Sequence, residues 1–163
     1  MKASSVTVVQ KNHVIAGLSG LLFVGLAHYV SLNQSLTQVI SPFTWQVTSG
    51  VILFAIMIFQ WALFYYKIVK NMGAVRTHTM LHRYAGIGAV LIFALHTVSA
   101  GYAWSLLLFV AFLGVAVTGL LNRGIVRFNR NSMHKLWLWV HISLAGILMP
   151  LSILHMYVAL AFE

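Results

Sequence analysis

Five long apolar stretches, separated by short polar segments, dominate this chain of 163 residues. A helix that spans a bilayer needs about 20 apolar residues, and each stretch is of that order. The sequence therefore predicts an all-α integral membrane protein, a five-helix transmembrane bundle in which residues 1-163 form a single transmembrane domain. The predicted spans are about 14-32, 47-69, 80-99, 102-121 and 136-162.

The amino-acid composition excludes most known kinds of catalytic and metal-binding site. The chain has one acidic residue, Glu163, and no cysteine, and only 7% of its residues are charged, whereas soluble domains carry about 25%. Carboxylate pairs, Ser-His-Asp triads, thiolate zinc sites, iron-sulfur clusters and cysteine-linked haem are therefore excluded. Coordinating or redox chemistry must come from the eight histidines or from tyrosine, tryptophan and methionine.

The basic residues define an orientation, because Lys and Arg in short loops are retained on the cytoplasmic side. All of them fall on one side of the predicted bundle, so we expect a cytoplasmic N-terminus and a periplasmic C-terminus. The compactness of the chain suggests that the membrane is a bacterial inner membrane. The net charge of +9 then reflects topology and contact with anionic membrane lipid, and no nucleic acid partner is expected. The basic residues are Lys2, Lys11, Lys67, Lys70, Arg76, Arg83, Arg123, Arg127, Arg130 and Lys135.

The first span has a second interpretation. Basic residues followed by an apolar run that ends near Gly25-Leu26-Ala27 also resemble a signal peptide with a cleavage site. An uncleaved helix is preferred because Tyr29 and Val30 continue the apolar run. The other four spans keep their orientation in either case.

Two predicted spans each carry two histidines separated by 14 positions, His82 and His96 in the third and His141 and His155 in the fifth. Fourteen residues fall about 40° short of four full turns, so each pair lies on one face of its helix, about 21 Å apart along the axis. One metal ion cannot join such a pair. The third and fifth spans run parallel, however, which brings His82 level with His141 and His96 level with His155.

Two histidines on facing helices can ligate a haem iron from opposite sides. The pattern therefore predicts two non-covalent b-type haems between the third and fifth helices. His82 and His141 would ligate the inner haem iron, and His96 and His155 the outer one. Small residues near these ligands would let a flat macrocycle approach the backbone; they are Ala85, Gly86, Gly88 and Gly146.

Haem propionates are anions and need partners. The outer haem has no basic side chain nearby except His28, which could also lie at the interface or line a quinol pocket. We hypothesise that this asymmetry separates the midpoint potentials of the two haems. His13, His78 and His134 are predicted to be interfacial. The candidate partners of the inner propionates are Arg83, Arg76, Arg127 and Lys135.

Three motifs support a family resemblance: Leu81-His82-Arg83-Tyr84-Ala85-Gly86 followed by His96, then Thr118-Gly119-Leu120-Leu121-Asn122-Arg123, then His141 with His155. With them, residues 47-162 resemble the ferric reductase-like transmembrane domain. This membrane cytochrome b module occurs in ferric reductases, NADPH oxidases and the haem subunit of methionine sulfoxide reductase systems. The resemblance implies a haem-binding core at 47-162 whose two b-type haems carry electrons across the membrane one at a time.

Many relatives add a sixth helix and a cytosolic flavin and nicotinamide domain. We expect no FAD or NADPH domain in this chain, and hence an electron-transfer subunit of an oxidoreductase rather than a complete enzyme. A separate flavin reductase or quinol would be the electron donor, and a periplasmic or other external redox protein or molecule the acceptor. One alternative is a quinol-linked cytochrome b anchor of a dehydrogenase or reductase complex. Another, from a different class, is a non-redox small membrane transporter or assembly subunit.

Overall fold

A computed structural model describes residues 3–32, 43–68, 76–97, 103–121 and 131–161, which form five α-helices and contain no strand. Each helix overlaps one of the predicted spans, so the prediction of an all-α protein with five helices is confirmed over the described residues. The helices are α1 (Ala3–Leu32), α2 (Phe43–Ile68), α3 (Arg76–His96), α4 (Ala103–Leu120) and α5 (Asn131–Ala161).

Two helices are long and apolar enough to cross a membrane, α2 over Phe43–Tyr66 and α5 over its full length. The helices α1 and α4 contain shorter apolar segments, Asn12–Ala27 and Leu106–Leu120. Many large apolar side chains are exposed, among them Leu22 at 75% and Trp139 at 69%. An apolar surface of this kind marks contact with lipid or with a partner, and together with the two long helices it suggests a membrane protein.

The chain divides into two compact units. In the first unit, Met1–Ser99, α3 packs against both α1 and α2. This unit therefore holds α3 between two neighbours, and α3 carries two of the four predicted ligands. The buried apolar side chains of this unit are Val24, Leu53, Ala89, Val90, Phe93 and Ala94.

The second unit, Ala100–Glu163, is a pair of packed helices, α4 and α5. The helix α5 continues through Pro150, although proline has no backbone N–H and leaves the carbonyl four residues earlier without its helical donor. His141 and His155 lie on either side of this proline in the same helix. The buried apolar side chains of the unit are Ala111, Phe112 and Leu148.

Two tryptophans donate hydrogen bonds to the last turns of α3 and α4, one from α2 and one from α5. The final carbonyl groups of any helix have no donor within the helix, and lipid cannot supply one. Trp45 of α2 donates its indole N–H to the carbonyl of Leu95 at 3.4 Å, and Trp137 of α5 donates to the carbonyl of Thr118 at 2.8 Å. Each hydrogen bond joins the end of one helix to the helix packed against it. The first lies next to His96 and the second lies close to His141.

Candidate functional site

His96 ends α3 and meets α2 through Ser49. Ser49 is completely buried, and its Oγ lies 3.0 Å from His96 Nδ1. The same hydroxyl lies 2.7 Å from the carbonyl oxygen of Trp45, one turn earlier in α2. A carbonyl can only accept, so a hydroxyl hydrogen directed at Trp45 leaves Oγ to accept the Nδ1–H of His96.

In this arrangement His96 carries its proton on Nδ1. With the proton on Nδ1, the ring lone pair lies on Nε2. Histidines that ligate metals almost always donate their other ring N–H to an oxygen acceptor, which fixes the ring orientation and raises the basicity of the ligand. The contact with Ser49 therefore prepares Nε2 of His96 as a ligand atom.

His141 repeats the arrangement on α5. Its Nδ1 lies 2.9 Å from Thr118 Oγ1, and that hydroxyl lies 2.7 Å from the carbonyl oxygen of Gly114. The same argument puts the proton on Nδ1 and the lone pair on Nε2. Two of the four predicted ligands thus have the same kind of hydroxyl contact at Nδ1.

A glycine follows each of the two hydroxyl residues and brings the backbone against the imidazole. A Cβ built on Gly50 would lie 3.2 Å from His96 Cε1, and one on Gly119 would lie 3.4 Å from His141 Cε1. A side chain at either position would crowd the ring. We call Ser49-Gly50 and Thr118-Gly119 the hydroxyl–glycine seats of the two histidines.

An aromatic side chain packs on His141 from its own helix. The rings of Trp137 and His141 are nearly parallel, at 9°, with centroids 6.0 Å apart. His134 stacks on the same indole, at 18° and 5.3 Å. The indole N–H is the group that donates to the carbonyl of Thr118, so Trp137 contacts both the predicted ligand and its seat.

The other two predicted ligands are held differently. The side chain of His82 is exposed, while its backbone carbonyl accepts a hydrogen bond from Gln60 Nε2 of α2 at 2.9 Å. His155 is half-buried on α5. His82 and His96 belong to the first unit and His141 and His155 to the second. The pairing of His82 with His141 and of His96 with His155 therefore stays a prediction, made from the membrane depth that the sequence gives each histidine.

The predicted propionate partners are only partly described. Arg83 is half-buried and close enough to His13 to act on it electrostatically. Lys135 is exposed near the start of α5, and Arg76 is the first residue of α3. Arg127 lies outside the described residues. A role in binding propionates stays a prediction for all four residues.

Outside the four predicted ligands, His13 is the most buried of the histidines whose side chains are described, at 8% exposure, although the sequence favoured an interfacial position. Its ring meets the ring of Tyr84 edge to face, with centroids 4.7 Å apart. Its buried Nε2 has no hydrogen-bond partner among the described residues. His78 is half-buried, and the side chain of His28 lies outside those described.

Two of the four predicted haem ligands, His96 and His141, have a chemistry that suits haem. A bis-histidine haem asks for imidazole nitrogens with lone pairs and for backbone that a flat ring can approach. His96 and His141 supply such nitrogens. An ideal Cβ on Gly88 of α3 or on Gly146 of α5 would have no described atom within 4 Å, so these helices keep open backbone between their two histidines.

Within the described ranges, no three or more His, Asp or Glu side chains come together as they would around a protein-chelated metal ion. A haem iron needs fewer protein ligands, because the porphyrin already supplies four nitrogens. The described residues thus define an all-helical protein with two candidate membrane-spanning helices and two histidines oriented through Nδ1. No protein-family model, curated protein or solved structure matches the chain significantly.

Proposed function

We propose that this chain is a five-span membrane cytochrome b that binds two b-type haems and transfers electrons across the membrane. His82 and His141 would be the axial ligands on the cytoplasmic side, and His96 and His155 those on the periplasmic side. The proposal keeps the orientation given by the basic residues and the resemblance to the ferric reductase-like transmembrane domain.

The observation that carries the proposal is the pair of hydroxyl contacts to Nδ1. Ser49 and Thr118 come from different helices, yet the hydroxyl of each lies within hydrogen-bond distance of Nδ1 of a histidine that the 14-residue spacing had singled out. The contact occurs once in each unit of the chain, each time at Nδ1. Two ligands at different predicted depths with the same hydroxyl contact at Nδ1 agree with the second-shell pattern of metal-bound histidine.

A bound b-type haem supplies a one-electron iron couple, and the protein supplies ligands, orientation and a medium of low dielectric. Here the histidines would donate through Nε2, the seats would hold their rings, and the apolar helices would keep water away. With two imidazoles on each iron, no coordination position is left for oxygen, so the chain would relay electrons. A cytoplasmic flavin reductase or quinol would be the donor, and the acceptor would lie outside.

The test is the haem content of the detergent-purified chain, measured by pyridine haemochrome assay and by a reduced-minus-oxidised spectrum. We expect two low-spin b haems per chain in the wild type and about one in both His96→Ala and His141→Ala, because these ligands belong to different predicted haems. His78→Ala is the matched control, since His78 shares α3 with His96 and is not a predicted ligand. It should keep both haems.

A wild-type chain that stays colourless with excess haemin would overturn the proposal. The four histidines would then have to serve in helix contacts or a proton path, as in a non-redox membrane protein. Loss of one haem in His78→Ala, with both kept in His96→Ala, would instead show that the ligands had been assigned to the wrong residues.

A further inference from the structure

Trp137 touches Thr118 of one seat and the histidine that the seat holds. Its indole N–H donates to the carbonyl of Thr118 at 2.8 Å, while the hydroxyl of Thr118 lies 2.9 Å from His141 Nδ1. The indole ring itself stacks on His141. Two side chains of α5 therefore converge on one residue of α4, one on its backbone and one on its side chain.

The position of Trp137 follows from its spacing and from the end of α4. Trp137 and His141 are four residues apart, so they lie on the same face of α5. Thr118 lies in the last turn of α4, where its carbonyl has no intrahelical donor. The indole N–H satisfies this carbonyl where lipid cannot.

The stacking geometry restrains the imidazole plane. Trp137 and His141 are 9° from parallel, and His134 stacks on the same indole at 18°. With its N–H anchored to Thr118, the indole cannot turn without breaking a hydrogen bond. The plane of His141 is thus limited by a fixed ring beside it as well as by the hydrogen bond at Nδ1.

We propose that Trp137 is a positioning residue for His141: its indole, anchored to the carbonyl of Thr118, fixes the plane of the imidazole and keeps the Nδ1–H directed at the Thr118 hydroxyl. This proposal rests on the proposed function, since it concerns His141 as a haem ligand.

A tryptophan also lies close to His96, but it comes from the neighbouring helix. Trp45 donates its indole N–H to Leu95, the residue before His96, and its carbonyl accepts the hydroxyl of Ser49. Trp45 therefore lies on the helix of the hydroxyl, whereas Trp137 lies on the helix of the histidine. Because only Trp137 stands one helical turn from the ligand on its own helix, a change at Trp137 should act on one haem and leave the other as an internal reference.

The test compares Trp137→Phe with Trp139→Phe in the full-length holoprotein. Phenylalanine keeps an aromatic ring but has no N–H to donate. Trp139 lies on the same helix, two residues away, and is 69% exposed, so it is a matched control for the loss of an indole. The readouts are the low-spin EPR signals, which report the axial imidazole planes, and the two midpoint potentials in a redox titration.

In Trp137→Phe we expect a changed EPR signal and a higher midpoint potential for one haem, because a weaker hydrogen bond at Nδ1 makes His141 a less basic ligand. The other haem and Trp139→Phe should match the wild type. Two unchanged haems in Trp137→Phe, or equal changes in both haems, would overturn the proposal.

A second variant removes the N–H alone. Benzothienylalanine at position 137 has the shape of tryptophan with sulfur in place of the N–H, and it should give the same direction of change as Trp137→Phe. Wild-type signals with this residue would overturn the anchoring role even if the phenylalanine variant were to misfold. A wild-type chain without haem would instead refute the proposed function, so the two failures are distinguishable.

Discussion

Thr118→Val tests the inner seat with little change in side-chain shape. Valine replaces the hydroxyl by a methyl group, so the 2.9 Å acceptor of His141 Nδ1 is lost while the volume stays nearly constant. A buried donor left unsatisfied costs about 1–3 kcal/mol. Loss of a second-shell partner typically weakens metal binding about 10- to 100-fold, which is about 1.4–2.8 kcal/mol. The two magnitudes agree, and we expect the dissociation constant of one haem to rise by this factor.

The assay is a haemin titration of the haem-free chain in detergent, followed by Soret absorbance. The control is Thr48→Val, because Thr48 also donates to a helix carbonyl, that of Thr44 at 2.7 Å, but is exposed. Wild-type affinity for both haems in Thr118→Val would refute the reasoning. An equal loss in Thr48→Val would refute it as well, since the effect would then come from any lost helix hydroxyl.

Two further predictions concern single positions. In Gly50→Ala the new methyl group would lie 3.2 Å from His96 Cε1, and in Gly119→Ala it would lie 3.4 Å from His141 Cε1. We therefore expect Gly50→Ala to cause the larger loss of haem affinity in the haemin titration. The reverse ranking would contradict the close approach at Gly50. In His13→Phe the buried Nε2 is replaced by carbon, and removing an unsatisfied polar atom should raise the free energy of unfolding by about 1 kcal/mol. The measurement is thermal or SDS denaturation in detergent. A lower stability of the variant would mean that this nitrogen has a partner.

The number and approximate positions of the helices could be predicted from the sequence, because the length of an apolar run reports a physical requirement of the bilayer. The helix ends were less predictable. The first helix begins at Ala3, well before the predicted span at residue 14, since Gln10, Lys11 and Asn12 are polar but do not break a helix. Hydropathy measures transfer into lipid, whereas a helix can continue beyond the membrane edge.

The hydroxyl–glycine seats were not predicted, although the histidines were. Ser49 and His96 are 47 residues apart in the chain, and Thr118 and His141 are 23 apart. Their contact depends on the register and rotation of packed helices, and helices that are apolar on most faces give little sequence signal for either. A usable signal did exist: each seat is a hydroxyl residue followed by glycine, at the depth of a histidine on the next helix.

Each unit orients one histidine through its own helix pair. The pair α2 and α3 holds His96 through Ser49, and the pair α4 and α5 holds His141 through Thr118. Because these contacts are formed within a unit, the tautomers of both histidines would be fixed before any haem binds, and binding would not have to provide the free energy of ordering the rings. His96 and His141 were assigned to different haems by sequence depth, so each proposed haem would meet one histidine that is already oriented. This is why the effects of Thr118→Val and Trp137→Phe should be confined to a single haem.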